Sequence, residues 1–179
     1  MNKTIREKPI GGENRASIGF SDSTNPIYND ELFAGTPGEK FVVFFLSGKL
    51  YGISAREVAE VSQPLEIAAL PNAPEWLLGI GNLRGEIIAI ANLPKIIGEN
   101  SPVLTAKTKL IVLKAKNYDT AIAFPIDKLS EIIAEHDKNF EAAGENESPF
   151  VYAKFTHQSN VVHLIDSGKL LTSIAINYS

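Results

Sequence analysis

The chain has 179 residues, 44% of them hydrophobic, with 17 Lys and Arg against 21 Asp and Glu and a net charge of −4. That is room for one ordinary domain or two small subdomains around a buried core. An acidic chain with singly scattered lysines offers no basic stripe for nucleic acid and no polybasic patch for anionic lipid, and the absence of cysteine excludes disulfides, thiolate metal sites and cysteine nucleophiles.

Residues 1–39 are rich in Asn, Ser, Gly, Glu and Pro, lack a sustained period, and read as a flexible tail. Charges at Lys3, Arg6, Glu7 and Lys8 are followed by Gly11-Gly12, with no apolar stretch of the length a secretory signal or a membrane span requires. A cytoplasmic protein with no direct membrane insertion is therefore expected. Isolated apolar residues in the tail, such as Phe20 and Phe33, could dock on the domain or on a partner.

From Lys40 the texture changes to short β-type runs separated by turn residues. Phe41 to Leu46 and Leu50 to Ile53 form a hairpin across Ser47-Gly48-Lys49. Phe44 and Phe45, being adjacent, must face opposite sides of a regular strand. Ser54 is placed to cap a helical turn at residues 55–57. Val58 to Val61 reads as a third strand, with Val58 and Glu60 on one face and Ala59 and Val61 on the other.

Pro64, Pro71 and Pro74 force an irregular connection, and Glu75-Trp76-Leu77-Leu78 reads as one helical turn started by Pro74. Trp76, the only tryptophan, suits a core anchor better than an exposed contact. Strands follow at about 79–84 and 86–91. Asn92 then caps a short helix from Leu93 to Ile97 that ends at Gly98.

In the second half, Lys109 to Ala115, Thr120 to Ile126, Leu129 to Glu135 and Val161 to Ile165 read as strands, with Asn117-Tyr118-Asp119 as a hairpin turn. The stretch from His136 to Pro149 reads as a loop, and Glu131 and Glu135, with Lys128, as a solvated face. Asp166 caps a last helix through Ile174. About nine short strands and few helices indicate an all-β protein built of small barrels.

The run Gly79-Ile80-Gly81-Asn82-Leu83-Arg84-Gly85 is the most informative segment. Its glycine spacing matches neither a dinucleotide fingerprint nor a P-loop, and β-like sequence follows it, so the glycines serve shape and not phosphate binding. An unpartnered arginine among apolar residues is costly. Arg84 therefore either pairs with a nearby acid, of which Glu60, Glu66 and Glu75 are available, or is held out for another molecule. His157, His163 and Asp166 could be taken for a catalytic or metal cluster, but no nucleophile elbow and no plausibly spaced third ligand accompany them. No cofactor is called for.

These residues also resemble a known family. Lys40-Phe-Val-Val-Phe-Phe-Leu46, Tyr51-Gly52-Ile53, Val58-Ala59-Glu60-Val61, Leu70-Pro71-Asn72-Ala73-Pro74, the Gly79 to Gly85 run and Val162-His163-Leu164-Ile165-Asp166 follow in order the pattern of the CheW-like domain. The resemblance covers about residues 40–176, most closely as far as Leu93. It implies two SH3-like five-stranded β-barrels around a shared core with short helices, the first barrel mainly 40–92 and completed by the C-terminal segment, the second mainly 93–160. It also implies a noncatalytic adaptor joining the cytoplasmic tips of chemoreceptors to the regulatory domain of a CheA-type histidine kinase.

The family's protein-binding positions fall on Val58, Glu60, Asn82, Leu83, Arg84 and Gly85, with Val58 giving apolar contact and Glu60 and Arg84 charge complementarity. The chain departs from the pattern at Ala89 and Asn92, where the family usually has Pro and Asp. It departs again at Ala123-Phe124-Pro125, where the proline suggests an edge strand. A scaffold of a divergent chemosensory pathway, for instance one driving pili, whose partner is not a chemoreceptor, is the runner-up. A small all-β hydrolase is the enzymatic alternative.

Overall fold

The computed structural model describes residues 38–101, 103–113 and 121–176. Readings that fall on residues 1–37 and on the turn at 117–119 lie outside these. The described part is mostly strand. The first six-stranded sheet contains β1 (Glu39–Leu46), β2 (Lys49–Ser54), β8 (Lys128–Glu135), β9 (Glu141–Ala142), β10 (Val151–His157) and β11 (Asn160–Ile165), in the order β8-β1-β2-β11-β10-β9. The second, five-stranded sheet contains β3 (Val58–Ser62), β4 (Leu77–Leu83), β5 (Glu86–Ala91), β6 (Lys109–Leu113) and β7 (Ile122–Ile126), in the order β3-β6-β7-β5-β4. Two short helices, α1 (Leu93–Ile97) and α2 (Ser167–Ile176), complete an all-β architecture of two SH3-like subdomains.

The two sheets draw on different parts of the chain. The first sheet draws on 39–54 and 128–165, and the second on 58–126. The reason lies in strand pairing. After the turn at Ala55-Arg56-Glu57 the chain leaves β2 for the other sheet, and β8 returns to cover the open side of β1 over seven paired positions from Glu39↔Glu135 to Phe45↔Lys128. The first strand also starts at Glu39, inside the stretch assigned to the tail.

Period-two alternation explains the packing. In β1, Val42, Phe44 and Leu46 point into a core shared by the two sheets, while Phe41 and Val43 point into the first sheet's own core with Phe155, Val162 and Leu164. In β6, Ile111 and Leu113 join the shared core, while Leu110 and Val112 join the second sheet's own core with Ile88 and Ile90. Phe44 stacks against Tyr51 at a ring separation of 6.3 Å and meets Phe124 in a tilted arrangement at 5.9 Å, tying β1 and β2 to β7 across the two sheets. Phe45, on the opposite face, is only partly buried.

Cap and turn residues act where the sequence places them. Asn92 Oδ1 accepts from the Lys95 N–H, Gly98 ends α1 in the left-handed region at φ 83°, and Asp166 Oδ1 accepts from the Lys169 N–H at 2.8 Å at the start of α2. Pro74 begins only a single turn, closed by the Leu77 N–H on the Pro74 carbonyl at 2.9 Å, because Leu77 already pairs with Ala91 in β4. Trp76 packs, partly buried, on the shared core.

Pro125 does not mark an edge strand. β7 lies between β6 and β5, and the proline is tolerated because β5 pairs only with Ile122 and Ala123, leaving Pro125 beyond its reach. The region 136–149 includes β9, and β10 is a strand that the reading lacked. Its inward Val151, Ala153 and Phe155 alternate with outward Tyr152, Lys154 and Thr156, but its hairpin turn is Gln158-Ser159, at φ 46° and 66°, without the Gly or Asn that advertises such turns.

Gly79 is where the backbone demands glycine. Its φ is +149°, and a Cβ there would stand 2.3 Å from the Ala68 carbonyl oxygen of the β3 to β4 connector, which pairs with Ile80. Gly85, at φ +93°, has open space around it. Gly79→Ala is expected to cost about 1–3 kcal/mol in urea denaturation, combining overpacking with backbone strain, and Gly85→Ala about 1 kcal/mol from strain alone. Equal losses would contradict the close approach at Gly79.

Candidate functional site

The candidate residues lie at the two ends of the second sheet. β3 is one end of the strand order and β4 the other, and the β4 to β5 hairpin turns over at Arg84-Gly85, with Leu83 opposite Glu86. Both turn residues have positive φ, 54° for Arg84 and 93° for Gly85, the geometry of a type I′ turn. Asn82 Oδ1 accepts from the Gly85 N–H at 2.8 Å and braces the turn from outside.

Asn and Gly suit the first position of such a turn far better than Arg, whose left-handed conformation costs about 1–2 kcal/mol. Arg84 is present for its guanidinium. That group reaches across the open ends of the sheet, Nη2 to Glu60 Oε2 at 2.9 Å, with the arginine side chain 76% exposed and the glutamate side chain 10% exposed. Of the three acids available to it, Arg84 takes Glu60. Glu75 pairs instead with Lys95 at 2.7 Å, and Glu66 is exposed. Arg84 is thus both paired and held out to solvent. Glu60 Oε1 is buried and makes no hydrogen bond among the described residues, so the arginine is the main compensation for a largely desolvated carboxylate.

Val58 does not share this surface. It is fully buried in the shared core. A β-bulge lies between Val58 and Glu60 against β6, which shifts the alternation by one: Val58 and Val61 face the shared core, Ala59 faces the second sheet's core, and Val58 and Glu60 part company. Leu83 is also buried, in the second sheet's core, and so positions the turn from beneath. The solvent-facing set is Asn82, Arg84 and Gly85, with Glu60 at its floor.

Ile87 was missed. It is 57% exposed and lies directly opposite Asn82 in the hairpin register. Its neighbour Ile88, on the opposite face of the strand, is buried in the second sheet's core, and because other strands of this fold bury both faces, the run Ile87-Ile88 does not by itself show which of the two is exposed.

The three residues weighed as a catalytic cluster belong to separate contacts. His163 Nδ1 lies 3.3 Å from Glu147 Oε2 with its ring against Tyr51, His157 Nε2 lies 3.7 Å from Glu131 Oε1, and Asp166 caps α2. Among the described residues no group of three or more His, Asp or Glu is placed to hold a metal ion, and no helix is long and apolar enough to cross a membrane.

Comparison with known proteins agrees with the resemblance read from the sequence. The family model described as CheW-like domain matches residues 40–175. The chemotaxis protein CheW of Bacillus subtilis is 25% identical over 138 residues, covering 75% of this chain and 87% of the relative. The protein PilI of Pseudomonas aeruginosa is 27% identical over 140 residues, covering 69% of this chain and 75% of the relative. Among solved structures, the scaffolding protein TtCheW of Thermoanaerobacter tengcongensis superposes with a TM-score of 0.65 at 26% identity, covering 73% of this chain and 85% of that one.

Replacing Arg84 by Asn improves the turn but strands the Glu60 carboxylate. Arg84→Asn is expected to lower stability by about 1–3 kcal/mol, the cost of a buried polar group left without its partner, and Glu60→Gln in the same chain is expected to restore most of it. Chemical denaturation of the single and double variants checks this. A stable single variant would show that the pair contributes nothing to the fold.

Proposed function

The chain belongs to the CheW-like domain family, and from that premise we propose that it is a noncatalytic adaptor coupling the cytoplasmic tips of chemoreceptors to the regulatory domain of a CheA-type histidine kinase. The observation that carries this reading is Arg84, an arginine in a strained turn position, paired below with Glu60 and exposed above. A residue kept where it is locally unfavourable, with most of its donors in solvent, suits recognition of another protein.

In this reading Arg84 and Glu60 supply charge complementarity, Asn82 and Gly85 fix the turn, and Leu83 anchors it in the core. The apolar contact expected of Val58 falls instead to exposed Ile87 on the same hairpin. An isoleucine beside a guanidinium offers both apolar area and direction, the mixture common at interface centres. Assembly on receptors in the cytoplasm accompanies the reading. The likeness to PilI supports a second one, a scaffold of a divergent chemosensory pathway such as pilus motility with a non-receptor partner.

Calorimetry against the regulatory domains of the host's CheA-type kinases and against receptor-tip fragments tests both. Micromolar binding is expected, weakened about tenfold by Ile87→Ser or by the Arg84→Asn, Glu60→Gln double variant; truncating an interface centre typically costs more than 1 kcal/mol. Binding that ignores these substitutions would remove the hairpin from the interface. No binding to any kinase or receptor fragment would favour the second reading.

A further inference from the structure

We propose that an apolar groove on the second subdomain is the docking site of this chain's own residues 15–22, with Ile18 and Phe20 as the side chains that enter it. The inference does not depend on the partner reading and concerns a surface other than the Arg84 hairpin. The groove, of about 300 Å³, runs between the β3 to β4 connector, which contributes Leu65 and Ile67, and the chain that leads into β6, which contributes Leu104, Ala106 and Leu110. Two threonines, Thr105 and Thr108, complete the lining, and among the described residues no charged side chain lines it. Leu65 and Ile67 pack on the second sheet's own core and Leu110 is buried in it, so an apolar side chain entering the groove extends that core. Leu104 is left 42% exposed and its neighbour Val103 85%.

Charge on the two rims selects the occupant. Glu66 stands exposed on the connector between Leu65 and Ile67, and Lys107 and Lys109 stand exposed on the opposite side. None of the three makes an ion pair with a described residue. Ahead of β1 the chain carries three apolar pairs, Ile18 with Phe20, Ile27 with Tyr28, and Leu32 with Phe33. Only the first has a cation on one side, Arg15, and an anion on the other, Asp22, which matches Glu66 on one rim and the lysines on the other. Ile27 and Tyr28 lie between Asp22 and Asp30, and Leu32 and Phe33 follow Asp30-Glu31, so each of these pairs brings an acid to Glu66. Exposed rim charges choose the segment and its direction, and the apolar contact holds it. In an extended chain residues 18 and 20 share a face, so both side chains can enter together.

The segment can reach the groove. The Ala55 N–H donates to the Lys40 carbonyl at 2.8 Å, which puts residue 55 beside the start of β1. Leu65 follows ten residues later, at most about 35 Å along an extended chain. The seventeen residues from Ser21 to Pro37 span about 23 Å root-mean-square as a flexible tether and about 55 Å at full extension. The tether is therefore close to the length at which linkage is most effective, and it offers residues 15–22 to the groove at about millimolar effective concentration.

Because the chain has no cysteine, a nitroxide carried on Ala69→Cys, at an exposed position of the connector, reports by NMR where the segment lies in the full chain. The amide signals of residues 15–22 are expected to broaden more than those of residues 5–12 and 24–31. Phe20→Ser or Leu104→Asp is expected to abolish that difference. Glu66→Lys is expected to weaken it, and Arg15→Glu in the same chain to restore it. Phe20 precedes the domain and Leu104 is exposed, so both variants are expected to fold; should Leu104→Asp fail to, Phe20→Ser alone decides. Equal broadening along residues 1–37, or broadening that survives these substitutions, overturns the proposal. No rescue by the charge swap overturns the choice of residues 15–22. Broadening seen only between differently labelled copies in a mixed sample makes the occupant a second copy and overturns the proposal as well.

Discussion

A single core shared by two curled sheets is the constraint on which the rest depends. A small sheet with one buried face would leave Val42, Phe44, Ile111 and Phe124 in water, and the chain avoids this by burying β1, β6 and β7 on both faces. Each of these strands serves two cores at once through the alternation of its side chains. That is why the chain crosses from one sheet to the other after β2 and returns at β8, so that the first sheet is built from two separate pieces of sequence with the whole of the second between them. A sheet doubly covered by side chains still has ends, and how those ends are held becomes the next problem.

The connector at Ala68 answers part of it by pairing with the free side of β4, and Gly79 is the residue that lets it approach. Charge answers the rest. Glu60 is carried close to the interior by the bulge that sends Val58 into the shared core, and a carboxylate so desolvated needs a cation. Arg84 meets that need from a turn position that Asn would occupy more comfortably. Local cost and long-range gain thus fall on one residue.

How much of this could be read from the chain depended on whether the deciding signal was local. Asn92, Gly98 and Asp166 act within one turn of their own position, and their roles were legible. The hairpin at 79–91 was legible because its glycines announce its shape. The strand at Val151–His157 was not, because Gln158-Ser159 makes a left-handed turn with residues that do not advertise one. The face of Val58 was not legible either: a one-residue bulge inverts every orientation beyond it and leaves no mark in a run such as Val58-Ala59-Glu60-Val61. Which strands share a sheet is set by long-range pairing, such as β8 with β1, and no local signal carries it. The Arg84 alternatives, an internal pair or an outward group, proved compatible because a long side chain on a turn can be anchored at one nitrogen and exposed at the others.

That last point bears on recognition. A free surface arginine carries much rotameric freedom, and ordering it in an interface costs about 0.5–1.5 kcal/mol. Arg84 is anchored at one nitrogen by Glu60, and Asn82 braces the turn from outside. Because Glu60 is largely buried, a partner approaching the hairpin meets an oriented guanidinium whose charge is only partly neutralised, beside Ile87. In the adaptor reading proposed above, the interaction that secures the sheet would also preorganise the group offered to a partner, so fold stability and recognition would rest on the same pair of side chains.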